Sequence, residues 1–182
     1  MKEIEVKAKL CDRKTVMTAL TKLGCVFSEP VEQRDTVYAE NIGSLETFRS
    51  NRLFLRLRIV NHAKTLLALK QPKSNGLDKL EYETEVSSEE ETEKMPTLIG
   101  YQKGAVVAKT RITTQNQGYE ICLDEIEGLG SFIEMEKLTE QGEARVIQDE
   151  LFTFLTSLGV APEDRVHLGY DLLLMQENQG RG

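Results

Sequence analysis

The chain has 182 residues, a net charge of −7, 40% apolar residues and 29% charged ones. That length sets the expectation of one domain with a lean core, and the acidic balance argues against broad contact with nucleic acid or an anionic membrane surface. No apolar run is long enough to span a bilayer, the acidic, amphipathic start is unlike a signal peptide, and three cysteines (Cys11, Cys25 and Cys122) without metal-type spacing suggest reduced thiols in a cytoplasmic protein.

Residues 2–10 predict a first strand. Successive strand side chains point to opposite sides, so Glu3, Glu5 and Lys7 share one face and Ile4, Val6 and Ala8 the other. Asp12 is placed to cap a helix through about residue 23, with Val16, Met17, Leu20 and Leu23 on one stripe and Gly24 as its stop. Residues 25–39 read as extended and end in Gln33-Arg34-Asp35-Thr36-Val37-Tyr38; the polar stretch 40–51 reads as a loop or short helical excursion. In 52–60, Arg52, Arg56 and Arg58 oppose Leu53, Leu55, Leu57 and Ile59, and in 64–71 Lys70 opposes Thr65, Leu67 and Leu69. After a turn from Pro72 to Gly76, residues 79–86 set Glu81, Glu83 and Glu85 against Leu80, Tyr82, Thr84 and Val86. Ser88 with Glu91 resembles a capping box for a second helix, and Pro96 inside that segment predicts a break or a late start.

Residues 105–114 set Lys109 and Arg111 opposite Ala108, Thr110 and Ile112, and residues 118–126 set Glu120, Cys122 and Asp124 opposite Ile121 and Leu123. The turn Gly128-Leu129-Gly130 leads to Phe132, Glu134 and Glu136, opposite Ile133 and Met135. A third helix over about 143–158 should bury Val146, Ile147, Leu151, Phe154, Leu155 and Leu158, and the tail 165–176 carries Tyr170 and a run of leucines. Leu23-Gly24 and Ile99-Gly100 end the first two helices, and a pair follows nine and eleven residues after each glycine (Gln33 and Asp35; Lys109 and Arg111), which suggests two related halves. His62 and His167 stand apart without ligand spacing and read as loop or surface residues.

The simplest accommodation of this pattern is an open antiparallel sheet, with helices on its apolar side and water on its charged side. The charged side, however, is built of Arg, Lys and Glu in blocks: acids at 3 and 5, cations at 56, 58 and 70, acids at 81, 83 and 85, cations at 109 and 111, acids at 124, 134 and 136. About eight such strands, covered outside by amphipathic helices, can close into a barrel that holds the charges in its lumen. Carboxylates about 4 Å apart repel by ~4 kcal/mol at an effective dielectric near 20. A hard divalent cation, Mg²⁺ or Mn²⁺, would relieve that repulsion. Clustered Arg and Lys match a multiply charged anion, and the Arg fork fits phosphate oxygens. Acids, bases and cation together describe a site for a polyphosphate carried as its metal complex.

In order, and over nearly the whole chain, Glu3-x-Glu5-x-Lys7, Arg56-x-Arg58, Lys70, Glu83-x-Glu85, Lys109-x-Arg111, Asp124 and Glu134-x-Glu136 resemble the pattern of the CYTH superfamily, the triphosphate tunnel metalloenzymes. That superfamily includes class IV adenylyl cyclases, thiamine triphosphatases and inorganic triphosphatases. The resemblance implies an α+β fold, an eight-stranded closed antiparallel β-barrel or tunnel with helices packed outside, as a single domain over 1–182. The segment from Leu123 to Glu134 most resembles class IV adenylyl cyclases of the CyaB type, while the second acid, Glu136, is a feature of the triphosphatases. The implied chemistry is divalent-metal-dependent: conversion of ATP to cyclic AMP and pyrophosphate, or hydrolysis of tripolyphosphate, a nucleoside triphosphate or thiamine triphosphate.

The resemblance implies Glu3, Glu5, Asp124, Glu134 and Glu136 as ligands of Mg²⁺ or Mn²⁺, and Arg56, Arg58, Lys70, Lys109 and Arg111 as the groups that hold phosphate. Lys7, Glu83 and Glu85 are the implied catalytic set. Lys7 would touch phosphate or orient the acids; the two glutamates would place the attacking water, bind a second metal, or simply pair with lumen cations. Glu81 shares their face but lies nearer the strand start and is set aside. Gln33 and Asp35 are expected at one mouth, with Asp35 and Tyr38 equally readable as structural. The expected partner is a triphosphate-containing small molecule, with no nucleic acid and no membrane, and the expected state is a monomer or homodimer. A module that binds polyphosphate without turnover, and an open-sheet scaffold, stay open at this point.

Overall fold

The computed structural model describes residues 2–49, 51 and 53–180, so Arg52, expected on the charged face of its strand, lies outside the described residues. The elements are, in order, β1 (Lys2–Lys9), α1 (Arg13–Lys22), β2 (Val31–Ala39), α2 (Leu45–Arg49), β3 (Phe54–Val60), β4 (Lys64–Pro72), β5 (Asp78–Val86), α3 (Glu89–Leu98), β6 (Gln102–Asn116), β7 (Tyr119–Ile126), β8 (Gly130–Thr139), α4 (Ala144–Ser157), a 3₁₀ turn (Pro162–Asp164), β9 (Arg165–Val166) and α5 (Tyr170–Gly180). The sheet runs β5-β4-β3-β2-β6-β7-β8-β1-β9, and a further β5–β1 pairing closes it. All pairings are antiparallel, so the fold is a closed eight-stranded antiparallel barrel with one added short strand and helices outside.

Closure is brief. Lys2, Glu3 and Ile4 pair with Leu80, Lys79 and Asp78, after which β9 takes over the same edge of β1 at Lys7 and Ala8. The apolar faces point outward, as the alternation requires. Ile4, Val6, Ala8, Ile121, Leu123, Ile133 and Met135 form one buried cluster with Val16 and Leu20 of α1 and Ile147, Leu151, Phe152 and Leu155 of α4. Each such Val, Leu, Ile, Phe or Met side chain contributes about 1.5–3 kcal/mol when fully buried.

Asp12 caps α1 by accepting from Thr15 N at 3.0 Å. Gly24 and Gly100 follow α1 and α3 at φ +81° and +93°, backbone that glycine adopts without strain. Leu23, expected on the buried stripe, is instead 53% exposed, because the helix ends at Lys22 and the chain turns away through Gly24. Val146, expected in the core, is also half exposed. The buried face of α4 is turned so that Gln148 points inward and donates to the Glu5 carbonyl at 3.0 Å, with Phe152 rather than Val146 facing the barrel. Ser88 caps α3 as expected, but Pro96 neither breaks nor delays it. Pro96 removes only one backbone bond, close to the helix end at Leu98, and its ring is buried. Residues 25–30 are not strand; they run beside β6, where Ser28 N donates to Thr113 O at 2.8 Å.

One end of the lumen is apolar. Val37, Val107, Ile126 and Phe132 share inward parity with Asp35, Lys109, Asp124 and Glu134, and α5 packs on them through Tyr170, Leu172, Leu173 and Leu174. Among the described residues no helix is long and apolar enough to cross a membrane.

Candidate functional site

The lumen holds a cavity of about 760 Å³. Of the residues singled out above, Glu3, Glu5, Lys7, Arg56, Arg58, Lys70, Glu83, Lys109, Arg111, Glu134 and Glu136 line it. The strands bring them together by register. Glu5 lies opposite Glu136 across β1 and β8, Lys7 opposite Glu134, and Glu136 opposite Glu120 across β7 and β8.

Three carboxylates converge. One oxygen from each of Glu3, Glu5 and Glu136 lies within 4.8 Å of the others. Burial, then the charges of Glu3, Glu5, Glu120 and Glu134, push the Glu136 carboxyl up to about 8. An all-oxygen donor set crowded to this degree fits Mg²⁺ or Mn²⁺, which would sit between Glu3, Glu5 and Glu136 and offset their mutual repulsion.

Asp124 and Glu134 are placed differently. Asp124 is fully buried behind the wall, with Arg111 on both oxygens at 2.7 and 2.5 Å and the Tyr170 hydroxyl donating to it at 2.9 Å. Glu134 accepts from Lys7 at 2.7 Å and makes a very close pair with Arg111. Although burial opposes its charge, Lys7 is held above the usual lysine range by Glu134 and Glu5.

The remaining cations face the same space. Arg58 makes two 2.7 Å bonds to Asp35. Despite burial, that guanidinium holds Asp35 well below the usual carboxylate range. Arg56 reaches Glu81 at 2.7 Å and Glu83 at 2.8 Å, and Lys70 reaches Glu81 at 2.6 Å and Glu3 at 3.6 Å. Burial opposes the charge on Glu81, yet the adjacent Arg56 and Lys70 draw its pKa down to about 2. Lys109 pairs with Asp124 at 3.9 Å. Burial first, then Arg111, lower its pKa to about 8.

Glu85 does not join the cavity; its carboxylate is 64% exposed and pairs with Lys64 at 3.2 Å. Glu81, set aside in the sequence, stands between Arg56 and Lys70. Lys79, also unassigned there, pairs with Glu5 at 3.4 Å. Both were signalled by parity alone, since residues 79, 81 and 83 share a face. Asp35 belongs to the wall, whereas the Tyr38 hydroxyl donates to Glu93 at 3.3 Å, away from the lumen. Cys122 is buried and free beside Glu120, with a thiol that burial pushes up and out of reach of ordinary reactivity. His62 pairs with Glu32 in the open, and His167 lies exposed at the cavity rim.

Comparison with known proteins agrees with this architecture. The protein named "Putative adenylate cyclase MJ0240", from Methanocaldococcus jannaschii, is 29% identical over 174 residues, which cover 93% of this chain and 97% of that one. The PH1819 protein from Pyrococcus horikoshii OT3 superposes with a TM-score of 0.78 at 26% identity, over 96% of this chain and 99% of its own. HpAC1 from Hippeastrum, described as an adenylyl cyclase candidate that reveals a dominant triphosphatase activity, has a TM-score of 0.64 at 20% identity over 97% of this chain and 96% of its own. The CYTH domain profile matches residues 1–170, and the chain belongs to that family.

Proposed function

We propose that this protein is a divalent-metal-dependent enzyme acting on the triphosphate of ATP or a related compound inside its barrel, converting ATP to cyclic AMP and pyrophosphate in the manner of a class IV adenylyl cyclase. The observation that carries this reading is the shared lumen, where a carboxylate triad fit for Mg²⁺ or Mn²⁺ stands next to a wall of buried Arg and Lys. Its direction comes from the similarity to the Methanocaldococcus protein. Bound among Glu3, Glu5 and Glu136, the cation would supply Lewis-acid polarisation of phosphate oxygens. Arg56, Arg58, Lys70, Lys109 and Arg111 hold the phosphate chain and balance charge as it shifts to the leaving group. Lys7 orients Glu134 and Glu5, Asp124 aims Arg111, and Glu83, which lines the lumen, would position the attacking group. In the cyclase reaction the ribose 3′-hydroxyl attacks the α-phosphorus and gives up its proton to water, the bond from the α-phosphorus to the bridging oxygen breaks, and that oxygen leaves with pyrophosphate.

Glu136 favours a second reading, hydrolysis at the terminal phosphorus, since it is the third acid of the triad and the feature by which the chain resembles triphosphatases. Incubation with ATP or tripolyphosphate in Mg²⁺ or Mn²⁺, with the products resolved, separates the two. Cyclic AMP with pyrophosphate supports cyclisation; orthophosphate supports hydrolysis. Tight anion binding without turnover under either metal identifies a binding module instead.

The lowered pKa of Lys109 leads to a pH prediction. Only its ammonium form attracts phosphate, so affinity for tripolyphosphate should fall as pH rises through about 8. A Lys109→Arg variant keeps its charge at any such pH, so it should lose less affinity than the wild type past that point, the remaining fall coming from Glu136, whose carboxyl gives up its proton in the same range. Titration calorimetry on both sides of pH 8 checks this; matching pH profiles for the two proteins would remove Lys109 from the phosphate wall.

A further inference from the structure

Tyr170 opens α5, where that helix closes the apolar end of the barrel, and both parts of its side chain engage the charged wall. Its hydroxyl donates to Asp124 at 2.9 Å. Its ring lies 4.0 Å from Lys7 Nζ and 5.2 Å from Lys109 Nζ, and Phe132 holds it nearly edge-on with centroids 5.2 Å apart. Asp124 in turn carries Arg111 on both oxygens, and Arg111 and Lys7 meet again on Glu134. A residue kept only to fill space would need neither the hydroxyl bond nor two ammonium groups over its face. An aromatic face attracts a desolvated ammonium, and a planar guanidinium points where its bidentate carboxylate aims it.

We propose that Tyr170 is a positioning residue: seating of the C-terminal helix aims Arg111 through Asp124 and steadies Lys7 and Lys109 through the ring, so the anion-binding wall is complete only when α5 is docked. This rests on the reading of those cations as the phosphate site. The two halves of the side chain are separable. Tyr170→Phe keeps the ring and loses the hydroxyl bond; Tyr170→Leu loses both.

The test is calorimetric titration of the full-length chain with inorganic tripolyphosphate, with the Tm of each variant measured alongside. Tyr170→Phe should weaken binding by about tenfold, the order expected for a hydrogen bond to a charged group, and Tyr170→Leu should weaken it further. In an Asp124→Asn background the Tyr170→Phe substitution should cost little more, because the hydroxyl acts through that carboxylate. Unchanged affinity in Tyr170→Phe, with only Tm lowered, overturns the proposal, as does full additivity with Asp124→Asn. A wild-type chain that binds no tripolyphosphate overturns the phosphate reading itself and this inference with it. Tyr170→Phe preserves the packing, so the test stands even where Tyr170→Leu does not fold.

Discussion

Glu5→Gln is expected to lower turnover by about a thousandfold or more while the fold survives. Glu5 stands opposite Glu136 in the strand register and contributes one oxygen to the carboxylate triad. The amide keeps the shape but removes a full negative charge from the place where a cation would bind. The fold should tolerate the change for two reasons. The backbone bonds of Glu5, its N–H to Leu77 O at 3.0 Å and its carbonyl to Gln148 at 3.0 Å, do not involve the side chain. One charge fewer also eases the crowding that drives the Glu136 carboxyl up to about 8. Turnover of whichever triphosphate the wild type consumes, with Tm measured in parallel, checks both halves. Unchanged activity would take Glu5 out of the site, and a large drop in Tm would make its role structural.

Arg111→Met should have the largest effect on stability. Arg111 is buried with two carboxylates on it, Asp124 through both oxygens and Glu134 through a very close contact. Its removal leaves two buried charges with Lys7 and Lys109 as their remaining partners. Breaking a buried pair of this kind costs about 3–5 kcal/mol, so denaturant unfolding should show a loss of that order and anion binding should disappear. Arg111→Met combined with Asp124→Asn should recover part of the stability, because one stranded charge is gone, but none of the binding. A single variant destabilised by less than ~1 kcal/mol would show that the lysines compensate for it.

Much of the barrel was legible because its signal is local. The alternation of Glu3, Glu5 and Lys7 against Ile4, Val6 and Ala8 marks a strand and its inward face, and the same parity correctly turns Arg56, Arg58, Lys70, Lys109 and Arg111 into the lumen. Helix caps are equally local: Asp12 was read from its own side chain, and Ser88 from its spacing to Glu91. The errors arose where a local pattern meets a distant constraint. Val146 lies on a plausible apolar stripe, but the hydrogen bond of Gln148 to β1 turns α4 a different way. Pro96 argues against a helix in general, yet its ring finds a buried site near the helix end. Glu81 was set aside for its position along the strand, and only the pairing of β4 with β5 shows that it faces Lys70. Nothing in the tail sequence marks Tyr170 as part of the wall, because its partners lie on β1, β6 and β7.

By itself, then, the sequence of this protein determined which side of each strand carries charge, since period-two alternation requires no knowledge of any other strand, and the order of its charged motifs carried the resemblance to one family of barrels. The tertiary structure alone decided how the acids divide. Glu3, Glu5 and Glu136 gather into a group fit for a cation, while Asp124 and Glu134 are taken up by Arg111 and Lys7. That division depends on distances between side chains on different strands, which are set by register and closure and so by contacts far apart along the chain.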